Sequence, residues 1–187
     1  MADNRLLTPG EYATVAANSD VLLTRDEIES AYHSLAVQLD KRFEGTLPVI
    51  LPVMMGGLIP AVGILRHLSI PHRLDYVHTS RYGHAEAGGE LNWKVPPSST
   101  LIDQDVVVVD DIFDQGTTLA AVVGKLRELP VASVTTVVLA RKIHDRVLTS
   151  LRPDLIGVEV PDRFVFGCGL DYHGGLRHLP DLHAIAE

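Results

Sequence analysis

The feature that most constrains the fold is a single stretch in the middle of the chain, residues 106–118. Four consecutive valines open it, and such a run predicts a strand buried on both faces, as in a parallel sheet. Three carboxylates and a glycine follow, and the next residues have helical apolar spacing. We therefore predict a strand, an acidic loop and a helix start, where open α/β sheets bind ligands.

The residue types in this loop indicate the kind of ligand. Backbone amides at the start of a helix with small residues suit a phosphate group. Carboxylates beside that phosphate would repel the ligand unless they held hydroxyl groups or a metal ion. The segment therefore predicts a phosphorylated sugar together with Mg²⁺.

Three other interpretations of the segment are weaker. Residues 110–114 also match the DDxxD motif of isoprenoid synthases, but that motif lies on a long helix, and four valines argue against a helix here. A nucleotide P-loop requires a lysine after its last glycine, and none follows Gly116. An ordinary strand-to-helix turn needs one capping Asp, whereas this loop has three.

Composition limits the class of protein. The 187 residues are 46% apolar and 21% charged, which predicts one globular domain over residues 1–187. The formal net charge of −8 argues against nucleic acid as a partner. Cys168 is the only cysteine, which excludes an intramolecular disulfide and favours a reducing compartment. No apolar run has signal or membrane length, so we expect a cytoplasmic protein without a membrane partner.

The order of predicted elements is that of an α/β protein. Capping boxes at Thr8 and Thr24 predict two helices, which end near Ala17 and Gly45. Further helices are predicted over 58–68, from 119 onward and, briefly, after His144. Strands are predicted over 47–54, 72–79, 134–139, 155–160 and 164–166, with a hairpin arm at 90–95. Such alternation predicts a parallel sheet with helices on both faces.

A second motif covers residues 153–172 and is followed by Arg177. On its own it predicts only a strand, a Pro-Asp turn and another strand. Together with residues 106–118, however, it resembles the type I phosphoribosyltransferases, and within them most the hypoxanthine-guanine phosphoribosyltransferase family. The resemblance spans residues 48–183. It implies a mostly parallel sheet flanked by helices, a small hood formed by the terminal segments, Mg²⁺ as cofactor and a homo-oligomer (dimer or tetramer).

The resemblance also implies a reaction and roles for the acidic segment. The family transfers a phosphoribosyl group from phosphoribosyl pyrophosphate to hypoxanthine or guanine. Asp114 would be the catalytic residue, placed near N7 of the purine. The ribose and its 5′-phosphate would be bound by Asp110, Asp111, Gln115, Gly116, Thr117 and Thr118.

Residues elsewhere in the chain match the rest of the family's site. Lys142 would donate to the purine 6-oxo group, although the spacing also allows Arg141. Phe164 would stack on the base, and Val165 would accept from the ring edge through its carbonyl. The pyrophosphate residues would be Met55, Gly56 and Arg177, with a cis peptide at Met54-Met55, and the metal residues Asp171, Asp110 and Asp111. Ser80, Arg81 and Tyr82 would begin a mobile loop that closes over the reaction.

The chain departs from the family at two positions and leaves alternatives open. Met55 stands where relatives often have Lys or Arg, and Gln115 where they commonly have Ser or Thr. A zinc site is not expected, because His173, His178 and His183 share no helical face and no cysteine pairs with them. The alternatives are a xanthine-preferring transferase and a non-catalytic regulator that binds phosphoribosyl pyrophosphate or a nucleotide.

Overall fold

Helices and strands alternate along the chain, as the sequence predicted. The structure, a computed structural model, describes residues 6–81 and 91–186. In chain order the elements are α1 (Pro9–Ala17), β1 (Ser19–Leu23), α2 (Arg25–Arg42), β2 (Val49–Met54), α3 (Leu58–Leu65), β3 (Arg73–Leu74), β4 (Val77–Arg81), β5 (Leu91–Val95), a 3₁₀ helix (Ser99–Leu101), β6 (Asp105–Phe113), α4 (Thr117–Leu126), β7 (Ser133–Lys142), β8 (Leu155–Val160), β9 (Val165–Phe166) and β10 (Leu182–Ile185).

The central sheet has the strand order β5-β4-β2-β6-β7-β8, and β3 pairs with β2 beside this path. The strands pair in parallel except β5, which runs antiparallel to β4. The prediction of a mostly parallel sheet is therefore confirmed. At the centre of β6, Val108 lies opposite Leu51 of β2 and opposite Thr136 of β7, so this strand has a neighbour on both sides.

Each face of β6 contributes to a different hydrophobic core. Val107 and Val109 belong to the cluster that includes residues of α2 and α3. Val106 and Val108 belong to the cluster that includes residues of α4. All four valines are 0% exposed, as expected for a strand buried on both faces. Helices on both sides of the sheet thus fix the position of the strand that carries the acidic segment.

Both predicted capping boxes are present. The Thr8 side chain accepts from the Glu11 amide and the Glu11 carboxylate accepts from the Thr8 amide, and Thr24 and Glu27 do the same at α2. Each cap satisfies amides that the helix cannot pair internally and is typically worth about 1 kcal/mol. Within the described parts of the chain, no helix combines the length and the apolar character needed to cross a bilayer.

A second, small sheet joins the two ends of the described chain. β10 pairs antiparallel with β1, with Ser19 opposite Ile185, and with β9, with Ala184 opposite Val165. Neither β1 nor β10 was predicted from the sequence. Both are short. The residues of β1 do not alternate in burial, and the alternation of buried and half-buried residues in β10 covers only four positions, too few to mark a strand in the sequence.

The structure corrects three local predictions. The acidic loop does not begin at Asp110, because β6 continues to Phe113 and Asp110 pairs with Val138 of β7. The single strand predicted over 72–79 is two strands, β3 and β4. The short helix predicted after His144 is absent from this described segment, whose amides bond elsewhere: Ile143 donates to Val160 and Leu148 to Gln115.

Candidate active site

A cavity of about 400 Å³ lies where β2, β4 and β6 end and α4 begins. Its size suits a small-molecule ligand. Residues of the predicted site make up most of its lining: Met55, Gly56, Asp110, Asp111, Asp114, Gln115, Gly116, Thr118 and Arg177. The structure therefore brings together side chains from the β2–α3 loop, the β6–α4 segment and the loop after β9.

Asp110, which is buried, and the adjacent Asp111, whose side chain is 17% exposed, both line this cavity. The Asp111 amide donates to Asp110 Oδ1 at 3.0 Å, and the Ile112 amide donates to Asp111 Oδ1 at 2.7 Å. Burial raises the pKa of Asp110 well above its ordinary value, and the charge of Asp111 raises it further. Burial also raises the pKa of Asp111, although nearby Arg177 opposes this. The pair therefore disfavours full ionisation unless positive charge or hydroxyl donors arrive.

Arg177 links Asp111 to Asp171. Its guanidinium Nη1 lies 3.7 Å from Asp111 Oδ2, and Nη2 donates to Asp171 Oδ1 at 2.5 Å. It also donates to the carbonyl of Gly169, and Asp171 accepts from the Gly174 amide at 2.8 Å. Arg177, a predicted pyrophosphate residue that lines the cavity, thus holds the predicted metal residue Asp171, which does not itself line it as formed by the described residues.

The β2–α3 loop lies flat against the end of β6. A Cβ added at Gly56 would come within 2.0 Å of Asp111 Oδ2, and one at Gly57 within 2.3 Å of the Val109 carbonyl oxygen. The predicted cis peptide between Met54 and Met55 is present. The absence of side chains at the two glycines is therefore what lets this loop approach Asp111.

The start of α4 is built as an anion site would be. Gly116 is the N-cap at a φ of +78°, a left-handed conformation that glycine adopts readily. It has no side chain to cap the helix, and α4 begins at Thr117 with no acidic residue in its first turn. The positive end of the helix dipole and its first amides therefore face the cavity side, next to Gln115 and Thr118.

Asp114 lies in a different environment from the acidic pair. Its Oδ2 is 3.2 Å from Lys142 Nζ, and its Oδ1 is 2.7 Å from His144 Nε2. Burial acts to raise the pKa of Asp114, but the His144 hydrogen bond and the Lys142 charge outweigh it, so the pKa is lowered. Arg141, the alternative to Lys142, instead pairs with Glu159.

The remaining predicted residues lie away from the cavity or outside the described chain. Phe164 is 53% exposed and packs edge-on against Tyr172, with ring centroids 5.4 Å apart, while Val165 is buried in β9. Neither lines the cavity as formed by the described residues. Ser80 and Arg81 belong to β4, where only their backbone is described, and Tyr82 lies outside the described residues.

Among the described residues of this region, sequence reasoning missed three with polar side chains. His78 and Thr79 of β4 also line the cavity, and the rule that parallel strands end at one edge could have found them. His144 contacts Asp114 from the connection after β7, and no motif or spacing marked it.

Comparison with known proteins extends these observations. Residues 19–173 match the phosphoribosyl transferase domain family. The hypoxanthine-guanine phosphoribosyltransferase of Bacillus subtilis (strain 168) is 30% identical over 161 residues, 86% of this chain and 89% of that protein. A crystal structure of the hypoxanthine phosphoribosyltransferase of Staphylococcus aureus is similar with a TM-score of 0.87 and 27% identity, covering 92% of this chain and 95% of that one. A Trypanosoma cruzi hypoxanthine phosphoribosyltransferase mutant, complexed with the product IMP, has a TM-score of 0.84 and 25% identity, with coverages of 90% and 92%.

Proposed function

The chain belongs to the phosphoribosyl transferase domain family, and from that premise we propose a reaction. It transfers the 5-phosphoribosyl group from phosphoribosyl pyrophosphate to hypoxanthine and guanine. The products are IMP or GMP and pyrophosphate, so the protein is a pentosyltransferase of purine salvage. The observation that carries this proposal is one cavity that combines a helix start, an acidic pair and a separately held Asp114.

The sugar chemistry assigns the acidic residues. Displacing pyrophosphate from C1 of ribose passes through an oxocarbenium-like sugar, which nearby negative charge stabilises. Asp110 and Asp111 accept hydrogen bonds from the ribose hydroxyls, which relieves the repulsion between these buried carboxylates. Gln115, Gly116, Thr117 and Thr118 hold the 5′-phosphate at the start of α4. The amides of Met55 and Gly56 and the guanidinium of Arg177 hold pyrophosphate.

The contact between Lys142 and Asp114 supports the assignment of the purine edge. In a 6-oxopurine the 6-oxo group and N7 are neighbours, one an acceptor and the other a site that loses or shares a proton. Lys142 Nζ and Asp114 Oδ2, 3.2 Å apart, offer a donor and a base with matching spacing. Lys142 therefore donates to the 6-oxo group and Asp114 takes or shares the N7 proton. Phe164 stacks on the base, and the Val165 carbonyl accepts from the ring edge.

The residues present fit Mg²⁺ that is held mainly by the substrate. Asp110 and Asp111 are buried carboxylates whose raised pKa values favour the arrival of positive charge. Among the described residues, no cluster of three or more His, Cys, Asp or Glu forms a complete metal site. Mg²⁺ characteristically keeps few protein ligands and binds phosphate oxygens and water, so Asp110, Asp111 and Asp171 are the residues that would hold it. When bound, it neutralises charge on the leaving pyrophosphate.

The wider organisation belongs to the same proposal. Residues 1–187 form one phosphoribosyltransferase domain, with the small β1-β10-β9 sheet as a hood beside the base. The loop that begins at Ser80, Arg81 and Tyr82 closes over the substrates. The protein works in the cytoplasm, because its multiply charged substrate does not cross a bilayer unaided. As the family resemblance implies, it forms a homodimer or homotetramer.

An initial-rate assay tests the proposed function. Hypoxanthine, guanine, xanthine and adenine are each offered with phosphoribosyl pyrophosphate, in Mg²⁺ and in excess chelator. We expect transfer to hypoxanthine and guanine, little to adenine, and none in chelator. A preference for xanthine would replace the proposed specificity. Binding of phosphoribosyl pyrophosphate without transfer to any base would indicate a regulator instead.

A further inference from the structure

A nearly buried histidine contacts the carboxylate of Asp114. The side chain of His144 is 4% exposed, and its Nε2 lies 2.7 Å from Asp114 Oδ1. The other carboxylate oxygen, Oδ2, faces Lys142 Nζ at 3.2 Å. Each oxygen of Asp114 therefore has its own partner, an imidazole nitrogen for Oδ1 and an ammonium group for Oδ2.

A second hydrogen bond fixes the tautomer of the imidazole. The backbone amide of Arg146 donates to His144 Nδ1 at 3.0 Å. An amide N–H needs a lone pair to donate into, so Nδ1 carries no proton and the neutral ring is protonated at Nε2. The hydrogen bond to Asp114 is then one in which Nε2–H donates and the carboxylate accepts.

The segment that carries His144 is anchored on both sides. The Ile143 amide donates to the Val160 carbonyl at 2.9 Å, at the end of β8. The Leu148 amide donates to the Gln115 carbonyl at 3.0 Å, in the proposed phosphate loop. The imidazole is thus positioned by the same elements that carry Lys142 and the start of α4.

Resting on the proposed function, we propose that His144 is a positioning residue for Asp114. Its Nε2–H holds Oδ1 and so fixes the rotation of the carboxylate. Oδ2, beside Lys142, is then the oxygen that shares the proton of purine N7. His144 does not touch the substrate in this arrangement; it acts through Asp114.

The electrostatics are consistent with that geometry. The groups that face Asp114 are Lys142 at the end of β7 and His144 just after it. Burial alone would raise the pKa of Asp114, whereas these two donors lower it. Asp114 is therefore held as an anion, ready to accept a proton, before any base binds.

Two substitutions of similar size separate positioning from simple packing. His144→Gln can place an amide nitrogen near the position of Nε2 and keep a donor to Asp114. His144→Asn is too short for that, but its amide oxygen can still accept from the Arg146 amide. We expect His144→Asn to lower kcat about tenfold with little change in the KM for phosphoribosyl pyrophosphate, and His144→Gln to recover most of that loss. The exposed neighbour Asp145, changed to Asn, is the matched control and should leave both parameters unchanged.

The pH profile and a double mutant complete the test. In His144→Asn the acidic limb of kcat should move to higher pH, because Asp114 has lost a donor to its charged form. Adding His144→Asn to Asp114→Asn should cost little more, since both act through one carboxylate. Equal losses in the Gln and Asn variants with an unmoved acidic limb would overturn the proposal.

A measurement without turnover separates this inference from the proposed function. Nitrogen-15 NMR of the free protein should show His144 protonated at Nε2, with a resonance that shifts in Asp114→Asn. An inactive parent protein would refute the proposed function, whatever the tautomer. An active parent whose His144 is protonated at Nδ1 would refute the positioning role alone.

Discussion

The acidic pair at the end of β6 and the single carboxylate of Asp114, three residues further along the chain, lie in opposite environments. Asp110 and Asp111 lie beside each other with little exposure. Burial raises both pKa values, the charge of Asp111 raises that of Asp110 further, and Arg177 opposes the shift at both. Asp114 has a side chain that is 38% exposed and two donors of its own, and its pKa is lowered. All three residues are aspartates and lie within five positions of one another, so the neighbouring groups decide the direction in which each pKa shifts.

The difference indicates how the work of binding and of proton transfer is divided. In the proposed function, the acidic pair is unfavourable in the free protein and would become favourable when ribose hydroxyls and a cation arrive. Asp114 is already stabilised as an anion by Lys142 and His144. We therefore expect changes at the pair to affect binding and stability, and changes at Asp114 to affect the chemical step. Four experiments test that division, from the largest expected effect to the smallest.

Asp114→Asn should lower kcat by about 10²–10⁴-fold, the usual contribution of a positioned base. Asn preserves the size of the side chain but removes the charge that we propose stabilises the oxocarbenium and accepts the N7 proton. Because Asp114 is partly exposed, the loss in the free energy of unfolding should stay within about 1 kcal/mol. Steady-state kinetics beside a thermal melt measure both. A kcat within threefold of the parent would place the base elsewhere.

Gly56→Ala should disturb the acidic pair without changing any charge. The added Cβ would come within 2.0 Å of Asp111 Oδ2, so the loop or the carboxylate must move. A displacement of about 1 Å at such a site can cost about 10²-fold in kcat/KM, here mainly through phosphoribosyl pyrophosphate.

Gly124→Ala is the control for that change, because Gly124 is exposed in α4 and a Cβ there meets nothing within 4 Å. It should keep its kinetics and stabilise the helix by about 1 kcal/mol. Parental kinetics for Gly56→Ala would mean that Asp111 has no fixed place in the site.

Lys142→Ala removes one of the two donors to Asp114 and the proposed reader of the 6-oxo group. We expect the purine KM to rise and the preference for hypoxanthine over adenine to fall by tenfold to about a hundredfold, or roughly 1–3 kcal/mol. Competition between the two bases measures this directly. An unchanged preference would assign the 6-oxo contact to another group, and Arg141→Ala is the variant with which to compare it.

Asp110→Asn should stabilise the free protein while it impairs substrate binding. A carboxyl whose pKa is raised on folding weakens the fold as pH rises, because the unfolded chain ionises more easily. The gain should be greatest near neutral pH, about 1.4 kcal/mol for each unit of raised pKa, and should vanish below about pH 3.9. Thermal melts between pH 4 and 8 test this. A gain independent of pH would mean that desolvated charge is not its source.

Much of the fold could be predicted because its signals are local and strong. Four valines predicted the strand buried on both faces, and the Thr8 and Thr24 capping boxes predicted two helix starts. The Met54-Met55 cis peptide followed from the family resemblance. Nine residues of the predicted site also line one cavity, because the carboxyl ends of parallel strands meet there.

What could not be predicted depends on contacts between distant residues. β1 and β10 are strands because they pair with each other and with β9, and their own sequences lack a clear period. The His144 segment is irregular because its amides bond to Val160 and Gln115. His144 itself carries no signal in the sequence, since its contact with Asp114 arises only when β6 and β7 are paired.

The small sheet also has a consequence for the order of folding. Its pairing of Ser19 with Ile185 joins residues separated by nearly the whole chain, whereas β6 and β7 pair over a short connection. Contacts that close a long loop form late in folding, because closing the loop costs chain entropy before the contacts compensate for it. During synthesis, β6 and the start of α4, which carry the proposed phosphate site, can thus fold before β10 is translated. The region of Phe164, next to β9, can complete its sheet only after β10 is present. We accordingly expect the paired strands β1 and β10 to be cleaved by protease, and to exchange their amide hydrogens, faster than the strands of the central sheet.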